Sequence, residues 1–259
     1  VFELDNSSIT FDGGRYLAVD SSGNIFTGGG KNVSKYNSSG VIQWQDNQTS
    51  GQGIVLGSEG NIYAVANGVR TTKYKDNGTS QWTRTLSSSG NDEVEAIAID
   101  SANNIYITGQ TSGGLDGNTN ANNNSVSAGS YDGFLIKYDS SGNKQWTKQF
   151  GTSSSEKGRD VYVDTNDNIY LVGETMGALD GNTFIGDIDV YLIKYNSSGT
   201  KQWTKQFGTS TTDRGVSIAV NSCGSIFLLG ETSGGIDGNT HSGYTSCGGT
   251  CPDMFLMKF

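Results

Sequence analysis

EAIAIDSANNIYITG (residues 95–109) and FLIKYDSSGNKQWTKQF (residues 134–150) hold four short runs of β-branched and aromatic residues, broken by Asp/Ser/Gly/Asn clusters and one Gly- and Asn-rich insertion. Clusters of that kind close hairpins, so the stretch reads as a four-stranded antiparallel meander. Its first turn recurs as DSSGNIF at Asp20, GSEGNIY at Gly57, DSANNIY at Asp100, DTNDNIY at Asp164 and NSCGSIF at Asn221. A third-strand Lys followed by an aromatic recurs at Lys35, Lys73, Lys137, Lys194 and Lys258, and in the first four copies a Trp follows nine residues on: Trp44, Trp82, Trp146 and Trp203. Self-similarity at this period marks a repeat architecture.

Trp82, Trp146 and Trp203 each stand 18 residues before the next copy's first turn, and Phe2 stands 18 before Asp20. Residues 1–4 therefore fit the fourth strand that the last copy lacks. The expectation is an all-β, five-bladed β-propeller with four-stranded antiparallel blades, the last closed by the N-terminal strand. It forms one domain over 1–259, with blade units at 15–45, 52–84, 94–150, 158–207 and 215–259 plus 1–5. Closure leaves only short, protected edges, whereas a solenoid needs polar caps rather than complementary ends.

Hydrophobic residues make up 33% of the chain, with 38 Gly and 1 Pro, yet the regular apolar runs place the polar residues in turns rather than in a disordered chain. The net charge is −9 and the basic residues are spread through the repeats, which argues against nucleic-acid binding by phosphate neutralisation. No apolar run reaches the length of a membrane-spanning helix. Cys247 and Cys251 are close enough for a small disulfide loop. Cys223 sits in a first turn and reads as a free thiol or an intermolecular link.

Between the second and third strands, copies one and two have only a few residues, while copies three to five insert 110–132, 174–189 and 231–253. Strand alternation puts these loops on one face and the hairpin turns on the other, and loops on a rigid scaffold are where binding residues sit. Each insertion opens on Gln110, Glu174 or Glu231, carries Asp-Gly-Asn-Thr from Asp116, Asp180 or Asp237, and ends in Asp132, Asp189 or Asp253. The oxygen-rich set Asp116, Asn118, Asp132, Glu174, Asp180, Asn182, Asp189, Glu231, Asp237, Asn239 and Asp253 is a candidate Ca2+ site, because a hard cation takes carboxylate and amide oxygens and Gly permits the tight turn. The same aspartates also fit an Asx-type turn, bonding their own backbone two residues on.

A polar residue stands eight positions before each first turn, at Asp12, Thr49, Asp92, Glu156 and Asp213, and Arg15, Glu95 and Arg159 share a second level. Around a central channel these read either as catalytic carboxylates, as in five-bladed glycoside hydrolases, or as strand caps and inter-blade ion pairs. The acids lack asymmetric neighbours that would split their pKa values, which favours the caps. His241, the single His, builds no triad and reads as a solvated loop residue. One Trp per copy at fixed register reads as packing between blades.

The repeat A-I/V-D-x-x-x-N-I/V-Y-x-x-G…LDGNT…D-x-F-L-I/V-K-Y-x-x-S-G-x-x-x-W-T-K-Q-F-G-T, fullest over residues 96–152 and 162–209, resembles the bacterial SBBP β-propeller repeat family along essentially the whole chain. The resemblance implies an extracellular or cell-surface bacterial protein without a shared enzymatic activity or catalytic residues to carry over. The family name refers to seven blades, whereas this chain has five copies. The expected function is a non-enzymatic interaction module that binds a protein or glycan through the long acidic loops. The alternatives are a self-assembling subunit of an extracellular layer, sheath or filament, and a glycoside-active enzyme using channel carboxylates.

Overall fold

The computed structural model describes residues 14–29, 32–47, 52–121, 130–241 and 251–259. Its described elements are five antiparallel sheets in simple meander order, four of four strands and the fifth of three, with short 3-10 turns between some strands. Sheet one holds β1 (Gly14–Val19), β2 (Ile25–Gly29), β3 (Asn32–Tyr36) and β4 (Ile42–Asp46), and sheet two β5 (Gly53–Leu56), β6 (Ile62–Ala66), β7 (Arg70–Tyr74) and β8 (Ser80–Thr85). Sheet three is β9 (Asp92–Ile99), β10 (Ile105–Thr111), β11 (Asp132–Tyr138) and β12 (Lys144–Phe150). Sheet four is β13 (Glu156–Val163), β14 (Ile169–Thr175), β15 (Asp189–Tyr195) and β16 (Lys201–Phe207), and sheet five is β17 (Asp213–Val220), β18 (Ile226–Thr232) and β19 (Asp253–Lys258). The chain divides into two compact units, Val1–Leu86 with sheets one and two and Ser87–Phe259 with the other three. The expected closing strand, residues 1–5, lies outside the described residues.

The repeated turn has a direct cause. Oδ1 of Asp20, Asp100 and Asp164 accepts the backbone N–H groups two and four residues on. The Asn four residues on donates its side-chain amide to the same carboxylates at 2.8, 2.7 and 2.9 Å. This is why Asp and Asn recur at that spacing.

Each sheet also carries one cross-strand ladder. The third-strand Lys lies over the ring opposite it on the second strand, in the pairs Lys35–Phe26, Lys73–Tyr63, Lys137–Tyr106, Lys194–Tyr170 and Lys258–Phe227, at 5.3, 5.4, 5.1, 5.1 and 5.8 Å from the ring centre. On its other side it faces Trp44, Trp82, Trp146 or Trp203 in the first four sheets. Cation–π and cross-strand contacts thus fix register in every copy.

Trp44, Trp146 and Trp203 pack between neighbouring sheets, while Trp82 lies against Tyr63 of its own sheet. Trp44 stacks on Tyr74 with ring centres 5.7 Å apart and donates Nε1–H to the Asp76 carbonyl at 2.8 Å, and Trp146 lies against the Gly199 turn of sheet four. Cores run between sheets one and two, three and four, and four and five.

The inner strands β1, β9, β13 and β17 each bulge at one equivalent residue, Arg15, Glu95, Arg159 and Val216. A Cβ on Gly109 or Gly173 would collide with the carbonyl oxygen of Glu93 or Lys157 across the strand, so these glycines let the bulges close. A bulge re-aims its side chain. In sheets three and four it brings Glu95 and Arg159 together.

Candidate functional site

The Asp-Gly-Asn segments form one tight turn three times. Asp116, Asp180 and Asp237 have φ of 55°, 52° and 53° and the following glycines 77°, 77° and 79°, left-handed values that Asp tolerates and Gly adopts freely. The next Asn returns its backbone N–H to the carbonyl of Leu115, Leu179 or Ile236 at 2.9, 3.0 and 3.0 Å, and its side-chain amide to the same oxygen at 2.8, 2.8 and 3.2 Å. Leu115, Leu179 and Ile236 are buried, which pins the turn down.

The Asx bonds expected of these aspartates do not form. Asp116 instead accepts from Lys144, and Asp180 accepts from Lys201 at 2.5 and 2.6 Å. With the backbone turn closed by Asn, the carboxylate is free to reach the lysine that opens the fourth strand. Sheet five has no fourth strand among the described residues, so Asp237 lacks that partner.

The loops end in a second carboxylate that sequence reasoning placed with the first, but the two lie apart. Asp132 is buried and accepts from Gln149 and the Ala121 backbone N–H, both at 2.9 Å. Asp189 accepts from Gln206 at 2.8 Å and from the Ile185 and Gly186 backbone at 2.9 and 3.2 Å. The same glutamines hold the turns, since Gln149 accepts the Leu115 N–H at 2.9 Å and donates to the Gly113 carbonyl at 3.0 Å. Gln206 does the same with Leu179 and Gly177. Neither glutamine stood out in the sequence. Its signal was recurrence in K-Q-F of the two copies whose long loops precede a fourth strand.

In sheet five, His241 Nε2 lies 3.0 Å from the Cys251 carbonyl and 4.0 Å from Asp253, with its side chain 14% exposed. The expectation of a solvated His241 is therefore corrected, because the ring is packed against the loop end. Cys251 is disulfide-bonded and Cys223 is free and exposed, while Cys247 lies outside the described residues.

The acids that open the inner strands act as caps. Asp92 accepts from the backbone and hydroxyl of Ser88 and from Thr111 at 2.7, 2.8 and 2.5 Å. Glu156 accepts from Thr152 twice and from Thr175 at 2.7, 2.8 and 2.7 Å, and Asp213 from Thr209 twice at 2.6 and 2.9 Å. Asp12 and Thr49 lie outside the described residues.

Beside these caps, an ion-pair chain crosses three inner strands. Arg159 reaches Glu95 at 3.4 Å and Glu174 at 3.0 Å, and Glu174 also meets Arg214 at 3.2 Å and Lys157 at 3.9 Å. Burial pushes Glu95 upward, an effect Arg159 partly offsets. Burial also works against the charge of Arg159, but Glu174 and Glu95 outweigh it and hold that charge firmly. The candidate metal residues thus fall in three places: the turns (Asp116, Asn118, Asp180, Asn182, Asp237, Asn239), the loop ends (Asp132, Asp189, Asp253) and this rim (Glu174, Glu231). Among the described residues no three His, Cys, Asp or Glu gather into one metal-sized group.

The repeated hairpins, the ladder and the long-loop turns define a unit that can be compared with known proteins. Residues 81–116 and 145–185 match the SBBP beta-propeller repeat. The chain is 27% identical over 209 residues to the regulatory protein FlaEY of Caulobacter vibrioides, covering 70% of this chain and 22% of that protein. Among solved structures, it is similar to the extracellular domain of a putative one-component system from B. thetaiotaomicron, with a TM-score of 0.54, 15% identity, and 88% of this chain and 26% of that one covered. It is also similar to quinohemoprotein alcohol dehydrogenase from Comamonas testosteroni, with a TM-score of 0.54, 12% identity, and 85% and 40% covered. At these identities the likeness to solved structures is one of fold alone. No helix among the described residues is long and apolar enough to cross a membrane.

Proposed function

We propose that this SBBP-repeat chain is a non-enzymatic interaction module, exposed outside the cell or at its surface, that binds a protein or glycan on its long-loop face. The observation that carries this reading is a coincidence of position. The three sheets with long loops are also those that carry the ion-pair chain, Glu95, Arg159 and Arg214 from their inner strands and Glu174 from the loop-bearing end of β14, so a charged floor lies at the loop-bearing end of the same sheets. The candidate catalytic acids Asp92, Glu156 and Asp213 are occupied as caps, which speaks for binding rather than turnover. Shortening the loop between Gly113 and Asp132 is expected to abolish retention on a glycan array or by a captured protein while the melt is kept. Retention that survives the shortening sinks the reading.

The module is further proposed to be a five-bladed ring with residues 1–5 as the outer strand of sheet five. Sheets one and five support this by what they leave uncovered. Leu17 is 67% exposed and Leu256 70%. Their equivalents in register, Ile218 and Leu192, are buried against each other's sheets in the core between sheets four and five. The flanks of sheets one and five thus each expose apolar positions that are buried at the equivalent places of sheets four and five. Deleting residues 1–5 is expected to cost about 3–5 kcal/mol in urea unfolding, the scale of losing a buried aromatic together with its strand. An unchanged midpoint rules out that strand.

A further inference from the structure

Two pairs of buried carboxylates meet across sheet boundaries in the second unit. Asp132, at the end of the long loop of sheet three, is 1% exposed, and Glu156, which opens the inner strand of sheet four, is 0% exposed. A Cβ on Gly151 would stand against Asp132 Oδ1 and 3.0 Å from Glu156 Oε2, so the two oxygens converge on one position that carries no side chain. One sheet on, the arrangement repeats. A Cβ on Gly208 would lie 2.6 Å from Asp189 Oδ1 and 3.0 Å from Asp213 Oδ2, and both of these aspartates are fully buried.

Buried carboxylates need a countercharge or a full set of donors. Among the described residues no Lys or Arg forms an ion pair with any of the four. The donors are also incomplete. Asp132 Oδ2 is served by Gln149 and Ala121, but Oδ1, the oxygen that faces Gly151, has no hydrogen-bond partner. At the second pair Asp213 Oδ2, the oxygen that faces Gly208, accepts from the Thr209 backbone and hydroxyl, and the other oxygen of the same carboxylate, Oδ1, has no partner. Burial raises the pKa of Asp132 and of Glu156, and the charge of Asp132 adds to the rise at Glu156.

We infer that Asp132 with Glu156, and Asp189 with Asp213, form two seats for a hard cation of the Ca2+ class, each bridging the carboxylates of adjacent sheets. Ca2+ takes oxygen ligands at about 2.3–2.6 Å in flexible geometry, which suits two carboxylate oxygens that converge on one point, with backbone carbonyls or water completing the shell. The seats are distinct from the Asp-Gly-Asn turns, whose Asp116 and Asp180 are held by lysines. A bound cation would clamp each long loop to the neighbouring sheet. The inference goes beyond the binding-module reading and stands or falls separately from it.

The test is calorimetric titration of Ca2+ into the chelator-treated full chain, with thermal melting alongside. Saturable binding of about two ions and a melt raised by several degrees are expected, the stabilisation following from a ligand that binds only the folded state. Asp132→Asn together with Asp189→Asn should remove both responses, while Asp116→Asn together with Asp180→Asn should leave them unchanged. Because the first pair of substitutions can cost the fold, Tb3+ emission sensitised by nearby tyrosines is read on the unsubstituted chain, and saturable emission displaced by Ca2+ is expected. A shared proton in place of a cation predicts no heat, no Tb3+ emission, and a melt that falls as pH rises from the ordinary carboxylate range toward neutrality. That result, or a Ca2+ response that survives Asp132→Asn with Asp189→Asn, overturns the inference.

Discussion

Leu256→Asp is expected to lower stability by about 3–5 kcal/mol, the scale of burying a charge without a partner. In the second unit Leu256 stands 70% exposed, and on such a surface a substitution ordinarily changes stability by within about 0.5 kcal/mol. The large effect follows only if sheet five's outer flank is covered in the protein. Val172, Val190 and Leu192 are the equivalents of Leu229, Met254 and Leu256, and all three are buried against Ile218 and Val220. Sheet one presents Leu17 and Val19 at the positions of Ile218 and Val220. Val41→Asp, on an exposed hairpin turn of sheet one, is the control and should be nearly neutral. Urea midpoints decide the matter, and their dependence on protein concentration separates closure within one chain from pairing between two copies. Equal midpoints for the two variants would mean that the flank is open and the ring reading fails.

The parts of the fold that were legible in the sequence are those set by local chemistry repeated in every copy. Asp20, Asp100 and Asp164 each satisfy their own turn within four residues, so the turn can be read from the segment alone. The Lys and Trp register was legible because the ladder recurs at fixed spacing in copy after copy. The site was less legible because its partners are remote or depend on backbone irregularity. Asp116 finds Lys144 on the fourth strand, and nothing in Asp-Gly-Asn-Thr distinguishes that pair from an Asx turn or a cation ligand. Arg159 reaches Glu95 because both sit at bulges, and the only trace of a bulge in the sequence is a glycine such as Gly109 or Gly173 on the opposite strand. The pairing of Asp132 with Glu156 crosses a sheet boundary. Their oxygens meet at Gly151, which has no side chain to keep them apart, and Asp189 and Asp213 repeat the same separation along the chain at Gly208.

Glu174→Gln is expected to cost about 2–3 kcal/mol, less than the roughly 3–5 kcal/mol for breaking a fully buried pair, because its arginine partners are partly in solvent. The Glu174 side chain is 6% exposed and stands between Arg159 and Arg214. Removing its charge leaves two guanidinium groups of adjacent inner strands facing each other without the anion that separates them. The Arg214 contact, at 3.2 Å, is close in charge but poorly aligned as a hydrogen bond, since Glu174 Oε2 has no hydrogen-bond partner. Arg159 should therefore carry more of the coupling than Arg214. A double-mutant cycle of Glu174→Gln with Arg159→Gln, set beside one with Arg214→Gln, reads that order directly. Glu231→Gln, at the equivalent position of sheet five, should change stability by within about 0.5 kcal/mol, since among the described residues no ion pair holds it. If Glu174→Gln proves as mild as Glu231→Gln, the chain of charges does not clamp the three sheets. Arg159 and Arg214 would then be held in place at little energetic gain to the fold, which is how residues kept for an outside ligand behave.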